Sequence, residues 1–398
     1  MAQHTRPEIP AELLQGFEYV RQLRPLLDRL HDCATARDRA HNRVLFYDHY
    51  VTLLLLYFFN PVLTSLRGLQ QATHLDKVRA HVGIGRVSLG ALSEATGAFD
   101  PDRLRAVVQE LAGRVATTGR GREAEALRGL TAVDGSFLPA RPRMAWAVWR
   151  DDTHRAAKLH LAFEVLTGVP VDATVTPGAS SEPDQLRALL RPGRVYVIDR
   201  GYAGYPLFRD VLDAGSSFIG RVQDNTTWTR AEDRPLTPAA RAAGVVRDLL
   251  VARLGTGHHA DVLGRPVRVV IVRRGKPDGT TEDLWRVTDR LDLDPERIGL
   301  AYRYRWSVEL FFRWFKCLLG CRHLVAADRN GVTIQVYVAL IASLLVVVWT
   351  GRVPTKRMWE MIRLYVLGWA TLAEVEAYLA AQARKAEPKK TPVENSRV

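Results

Sequence analysis

Apolar residues recur every three or four positions through the first 120 residues. From about 128 they alternate or run in short blocks bounded by turn formers. The first pattern predicts amphipathic helices and the second predicts strands. Helical spacing covers 11–32, 43–59, 62–72, 88–96 and 101–117, punctuated by Asn60-Pro61, Gly83-Ile84-Gly85 and Asp100-Pro101. Strand patterning follows at 130–137, 158–166 and 169–176, then a helix at 182–190, a strand at 194–198, a helix at 205–213 and a strand at 216–222. The 110 residues between Asp199 and Glu309 are too many for a simple connection. Their middle reads as β at 246–253, 265–273 and 283–288, with a turn at 276–279. Two amphipathic helices are expected at 356–367 and 372–384, followed by a Lys-, Pro- and Glu-rich tail with the composition of disorder.

The domains expected are therefore a helical segment 1–124, an α/β core 125–350 with a β-rich insertion about 224–290, C-terminal helices 351–384 and a disordered tail 385–398. The pair 88–94 and 100–104 fits a compact helix-turn-helix, with Arg67, Lys77, Arg79, His81 and Arg86 around it. A helical cap that packs on the core fits equally well. Residues 332–348 have the length and apolarity of a short membrane span, yet Gln335, Tyr337 and Ser343 interrupt them, so a buried core helix is expected and no membrane partner.

Composition sharpens the partner. The net charge is +13, with 48 Arg against 8 Lys. Excess positive charge predicts affinity for polyanions, nucleic acid first, and arginine suits bidentate phosphate contacts. A GC-rich coding sequence accounts for the Arg-to-Lys ratio as well, but not for the charge. The three cysteines, Cys33, Cys317 and Cys321, are read as free thiols of a reducing cytoplasm rather than as zinc ligands with His323.

Candidate chemistry concentrates in three places. As one helix, 302–316 sets Tyr302, Arg305, Glu309 and Lys316 near one face, with Val308, Phe311, Phe312 and Phe315 toward a core. A carboxylate among cations suits a metal ion and a phosphodiester, although a solvated face of ion pairs fits the spacing alone. Two upstream segments break the tie. The apolar run 130–133 ends in Asp134 and a turn-permitting Gly135, and 195–198 ends in Asp199, Arg200 and Gly201. Three carboxylates are what two Mg²⁺ ions require for in-line phosphoryl chemistry.

Asp134-Gly-Ser, Asp199-Arg-Gly-Tyr and the Tyr302/Arg305/Glu309/Lys316 series resemble the signatures of the DDE transposases of insertion-sequence family four, over roughly 125–350. The resemblance implies a ribonuclease-H-like catalytic domain interrupted by an all-β insertion. It implies catalytic metal ligands Asp134, Asp199 and Glu309, with Asp134 bridging two Mg²⁺ ions for which Mn²⁺ substitutes. It also implies contacts to DNA from Tyr302, Arg305 and Lys316, and a base flipped onto Trp285, or else onto Trp228 in a loop-like 226–230. The function implied is cut-and-paste transposition: cleavage at terminal inverted repeats, a hairpin intermediate, and strand transfer into target DNA. The implied partner is double-stranded DNA bound by a homodimer, in a bacterial cytoplasm at the nucleoid. The rival readings are a catalytically silent DNA-binding regulator and a metal-dependent nuclease without joining.

Overall fold

The computed structural model describes residues 18–33, 43–115, 127–149, 154–202, 204–255, 263–318 and 324–386. The expected disordered tail lies outside them from 387 onward, as do Cys321 and His323. The chain divides into two compact units, Glu94–Leu344 and Met1–Ser93 with Leu345–Val398.

In the helical unit α1 (Glu18–Asp28) packs on α2 (Tyr47–Phe59), which is apolar nearly all round and buried along its length. The short helices α3 (Leu66–Ala72) and α4 (Asp76–Val82) follow, and the Ser65 hydroxyl caps α3 by accepting the Gly68 amide at 3.1 Å. Helix α5 (Leu89–Ala98) begins in this unit and ends in the sheet unit.

The sheet unit opens with α6 (Pro101–Arg114). Asp100 caps it, Pro101 pre-sets its first turn, and Leu104, Val107, Val108 and Leu111 form its buried stripe. This helix lies on the sheet and bonds it through Arg105, as a packed cap does. Strands β1 (Leu130–Pro139), β2 (Ala156–Glu164) and β3 (Val169–Pro177) form an antiparallel meander. Then come α7 (Glu182–Leu189), β4 (Val195–Ile198), α8 (Tyr205–Asp213) and β5 (Ser217–Arg221), with β4 parallel to both β1 and β5. From β1 to β5 the expected order of elements is the observed one, whereas α4 is not among the expected helices.

The region between the second and third carboxylates forms β6 (Trp228–Asp233), the short helix α9 (Pro238–Ala242), β7 (Val245–Leu254), β8 (Val267–Gly275) and β9 (Thr281–Thr288). Because β9 pairs antiparallel with β5, these strands extend one nine-stranded sheet of order β3-β2-β1-β4-β5-β9-β8-β7-β6. The segment around Trp228, expected as loop, is the start of edge strand β6. Its residues are almost all exposed and polar, so no apolar alternation betrays it.

Period-two alternation divides the core between the two faces of the sheet. Tyr196 and Ile198 of β4, with Val133 of β1, pack against α7 and α8 through Leu186, Leu189, Leu207 and Phe208. Val195 and Val197, with Leu130, pack on the opposite face against Ile298, Ala301 and Tyr302 of α10 (Pro295–Tyr304). Helix α11 (Trp306–Leu318) continues onto β1, where Phe311 meets Phe163 of β2 at 5.3 Å between ring centroids.

The apolar segment noted in sequence is α12 (Arg329–Thr350). It is the one described helix with the length and hydropathy to cross a membrane, and 89% of that apolar stretch is buried inside the protein. Its Tyr337 hydroxyl donates to the Ala173 carbonyl of β3 at 2.8 Å, which is the placement expected of a core helix. The C-terminal helices α13 (Lys356–Val366) and α14 (Leu372–Ala386) close the described chain.

Candidate active site

Strand register brings the first two carboxylates together. Ala132 of β1 stands opposite Val197 of β4, and two residues further along each parallel strand are Asp134 and Asp199. Two residues is one strand period, so both side chains lie on the face carrying Leu130 and Val197, under α10 and α11. This is the carboxyl end of parallel strands, where α/β sheets place their ligands. Glu309 sits in the first turn of α11, and its neighbours Val308, Phe312 and Phe315 are buried.

All three carboxylates meet one guanidinium. Arg305 reaches Glu309 at 2.8 Å, Asp134 at 3.5 Å and Asp199 at 3.5 Å, and it is only 9% exposed. The Tyr302 hydroxyl donates to Asp199 at 2.7 Å. Backbone amides add to this: Gly135 donates to Asp134 at 2.8 Å and Arg200 to Asp199 at 2.7 Å. The sequence reading of 302–316 as one helix is corrected here. The chain forms two helices with a break at Arg305, whose backbone stays in the right-handed helical region (φ −51°, ψ −33°). With no Gly or Pro at the break, the periodic pattern reads straight through it. At this break Arg305 reaches Asp134 and Asp199 at the sheet rim.

Gly135 also differs from expectation. It is no turn, because β1 runs on through Pro139. A Cβ at this position would meet Lys158 Cε at 2.7 Å and Glu182 Oε1 at 3.1 Å. Glycine is there to admit the ion pair between Lys158 and Glu182, one residue along β1 from Asp134. Sequence reasoning missed both residues. Lys158 did carry a signal, as a charge in β2, a strand that also holds His160 and Glu164 and is buried at every position.

The electrostatics are uneven. Burial pushes Asp134 up to about 6; its Gly135 hydrogen bond and Arg305 oppose this, while Glu309 and Glu182 push it further up. Burial also raises Asp199, but the Tyr302 hydrogen bond, Arg305 and the Arg200 amide outweigh it and hold that carboxyl below its ordinary range. Burial and the bond to Asp199 push the Tyr302 phenol up to about 12, so it stays a donor. The Tyr202 hydroxyl is buried among Glu182, Asp134 and Asp199 without a hydrogen-bond partner.

The other sequence-selected residues lie on β6, β9 and α11. Trp285 on β9 and Trp228 on β6 touch each other, with ring centroids 5.1 Å apart, so the two alternatives form one aromatic pair. Trp285 lines a cavity of about 480 Å³ with Arg200, Arg221 and Lys276, and Arg200 directly follows Asp199. Arg286 lies over the Tyr302 ring at 4.7 Å. Lys316 lies half-buried in the last turn of α11, about two turns beyond Glu309.

A clustered set of hard oxygen donors, one of them held up near neutrality by burial and like charges, suits a divalent cation. Chemically, the site can hold such an ion beside a phosphodiester.

The family model described as "Transposase DDE domain" matches residues 125–345. The chain is 27% identical over 217 residues to "Probable transposase for insertion sequence element IS5377" of Geobacillus stearothermophilus, covering 54% of this chain and 55% of that one. It is 27% identical over 222 residues to "Putative transposase y4zB" of Sinorhizobium fredii, covering 56% and 60%. The matched region thus spans little more than half the length of these curated relatives. Among solved structures, a piggyBac transposase synaptic complex with hairpin DNA aligns over 96% of this chain and 88% of that one, at 10% identity and a TM-score of 0.44. With the family match running across β1 to α12 and taking in Asp134, Asp199 and Glu309, the chain belongs to the transposase DDE domain family.

Proposed function

We propose that this protein is a cut-and-paste DNA transposase of the insertion-sequence family four type, built on a ribonuclease-H-like core with a β insertion. The observation that carries the reading is the meeting of Asp134, Asp199 and Glu309 on one guanidinium, although 175 residues separate the first from the last. The order of β1–β5, with an antiparallel meander and then parallel β4 and β5, supports the fold assignment.

Asp134, Asp199 and Glu309 would hold divalent ions, a pair of Mg²⁺ or Mn²⁺. Such ions activate an oxygen nucleophile and stabilise the leaving 3′-oxygen of a phosphodiester. The chain's own groups do the rest. Arg305, which neutralises the carboxylates here, would also be within reach of phosphate oxygens at the same rim. Tyr302 holds Asp199 in place through its hydrogen bond and presents its ring edge to the substrate. Lys316 neutralises a backbone phosphate further along α11.

The cavity beside Trp285 takes a nucleotide drawn out of the duplex. Its base stacks on the Trp285–Trp228 pair, and its phosphate meets Arg200 and Arg221. Extrusion relieves the strand bend that a hairpin at the element end demands. Net charge +13 supports binding of double-stranded DNA, and two element ends call for a homodimer in the complex. A protein acting on the chromosome in this way works in the bacterial cytoplasm at the nucleoid.

The test is a labelled duplex carrying the inverted repeat that flanks the gene, incubated with Mg²⁺. A nick, then a hairpin, then a joined product supports the proposal. Cleavage that never yields joined product indicates a nuclease, and binding without cleavage indicates a regulator.

A further inference from the structure

The helical unit gathers a second set of metal-ligating side chains. His31 lies in the turn after α1, and Asp48 and His49 stand in the first turn of α2. One ligand atom from each lies within 4.8 Å of the other two. Asp48 presents one oxygen to each imidazole: Oδ1 is 2.9 Å from His31 Nδ1, and Oδ2 is 3.7 Å from His49 Nε2. Ligand atoms around a tetrahedral zinc ion stand ~3.4 Å apart, given Zn–N and Zn–O bonds near 2.0–2.2 Å. The two separations are to different oxygens of Asp48, the shorter of them a hydrogen bond, so an ion would replace that bond with ligation at a slightly wider spacing.

Packing fixes the rings. Phe46 stacks on His31 at 4.2 Å and 12°, and it meets His49 edge-on at 5.6 Å and 90°. Rings held this way lose little freedom when they bind an ion. The Asp48 and His49 side chains are 6% and 7% exposed, whereas that of His31 is 32% exposed and leaves a path for an ion.

We propose that His31, Asp48 and His49 form a binding site for a divalent transition-metal ion of the zinc class. Two imidazoles select such an ion over Mg²⁺, which prefers all-oxygen surroundings. The site joins the end of α1 to the start of α2, so ion binding contributes directly to the stability of the helical unit. It is separate from the sheet-rim carboxylates and stands whether or not these are catalytic. The competing account is a hydrogen-bonded His–Asp–His set that holds no ion.

The test uses the full-length chain, stripped with chelator and titrated with Zn²⁺ in excess Mg²⁺, which occupies oxygen-only sites. The expected result is one Zn²⁺ per chain with a Kd below about 1 μM, together with a rise in the temperature at which the helical signal melts. His31→Gln changes the most exposed ligand and leaves the buried pair intact. It is expected to weaken Zn²⁺ binding at least ~100-fold, since even outer-shell partners are worth 10–100-fold, while the far-ultraviolet circular dichroism stays that of the parent. Absence of stoichiometric Zn²⁺ binding by the parent chain overturns the proposal. So does His31→Gln that binds Zn²⁺ as tightly as the parent.

Discussion

Two aspartates in the same sheet, Asp172 buried and Asp134 half-buried, have opposite electrostatics. Asp172 of β3 is 1% exposed and fully satisfied: Arg105 grips it with two bonds of 2.6 and 3.0 Å, Arg191 adds one of 2.8 Å, and the Ala173 amide another of 2.8 Å. Burial raises it, but these bonds outweigh burial and leave it below its ordinary range. Asp134 has one amide bond and a cation at 3.5 Å that it shares with two other carboxylates, and burial leaves it up at about 6. The first carboxylate is neutralised within the protein. The second is held short of a partner, which is the condition of a group meant to receive something else. One is a fastening and the other is the proposed metal ligand.

The largest effect separates them by activity. Asp134→Asn, and equally Glu309→Gln, is expected to lower Mg²⁺-dependent end cleavage by more than ~10³-fold while the melting temperature holds or rises. Asp172→Asn is expected to leave cleavage per folded molecule unchanged. A gel assay of labelled ends beside a thermal melt reads both outcomes. Cleavage retained by Asp134→Asn would remove it from the ligand set.

Stability gives the converse. Asp172→Ala strands the Arg105 and Arg191 guanidinium groups between α6 and the sheet. Breaking a buried pair from one side costs about 3–5 kcal/mol, and these arginines are partly exposed, so the lower end applies. Urea unfolding should show a loss of about 3 kcal/mol. A loss below ~1 kcal/mol would make the Asp172 cluster an ordinary surface pair.

The acid titration of the metal-free protein sharpens the contrast. The folded state holds Asp134's proton up to about pH 6, whereas the unfolded chain releases it near 3.8. Between those values the folded state binds more protons, so its stability falls as pH rises. At ~1.4 kcal/mol for each unit of pKa, Asp134 alone removes about 3 kcal/mol by pH 6. Asp172 has the opposite sign: its contribution is present above its unfolded value and is lost as pH falls below it. Urea midpoints from pH 4 to 6.5 in chelator measure the slope, and Asp134→Asn should flatten it. An unchanged slope in that variant assigns the effect elsewhere.

Much of the candidate site was legible because strands announce their ends. Val195 to Ile198 is too apolar to be anything but a buried strand, and Asp199 breaks it. One strand period of register carries Asp134 alongside. What stayed hidden depends on neighbours in space rather than in sequence. Gly135 reads as a turn until Lys158 and Glu182 arrive beside it from other elements. The helix break at Arg305 leaves no mark because its dihedrals remain helical. Strand β6 is invisible because an exposed edge strand has no apolar face to alternate. The joining of β9 to β5, which makes the insertion part of one sheet, follows from pairing that no local pattern encodes.

The smallest expected effect lies at the aromatic pair. Trp285 packs against the core on one side and borders the arginine-lined cavity on the other, so truncation removes both packing and a stacking surface. Stacking of one base is worth ~1–3 kcal/mol, or roughly 5- to 150-fold in the step that needs the extruded base. Trp285→Ala should therefore leave first-strand nicking near the parent rate and slow hairpin formation within that range. Trp285→Phe keeps an aromatic face and should recover most of it. Because Trp228 touches Trp285, Trp228→Ala should give a smaller loss of the same kind by releasing its neighbour. A nicking defect as large as the hairpin defect would mean that Trp285 supports the sheet, like Asp172, rather than the substrate.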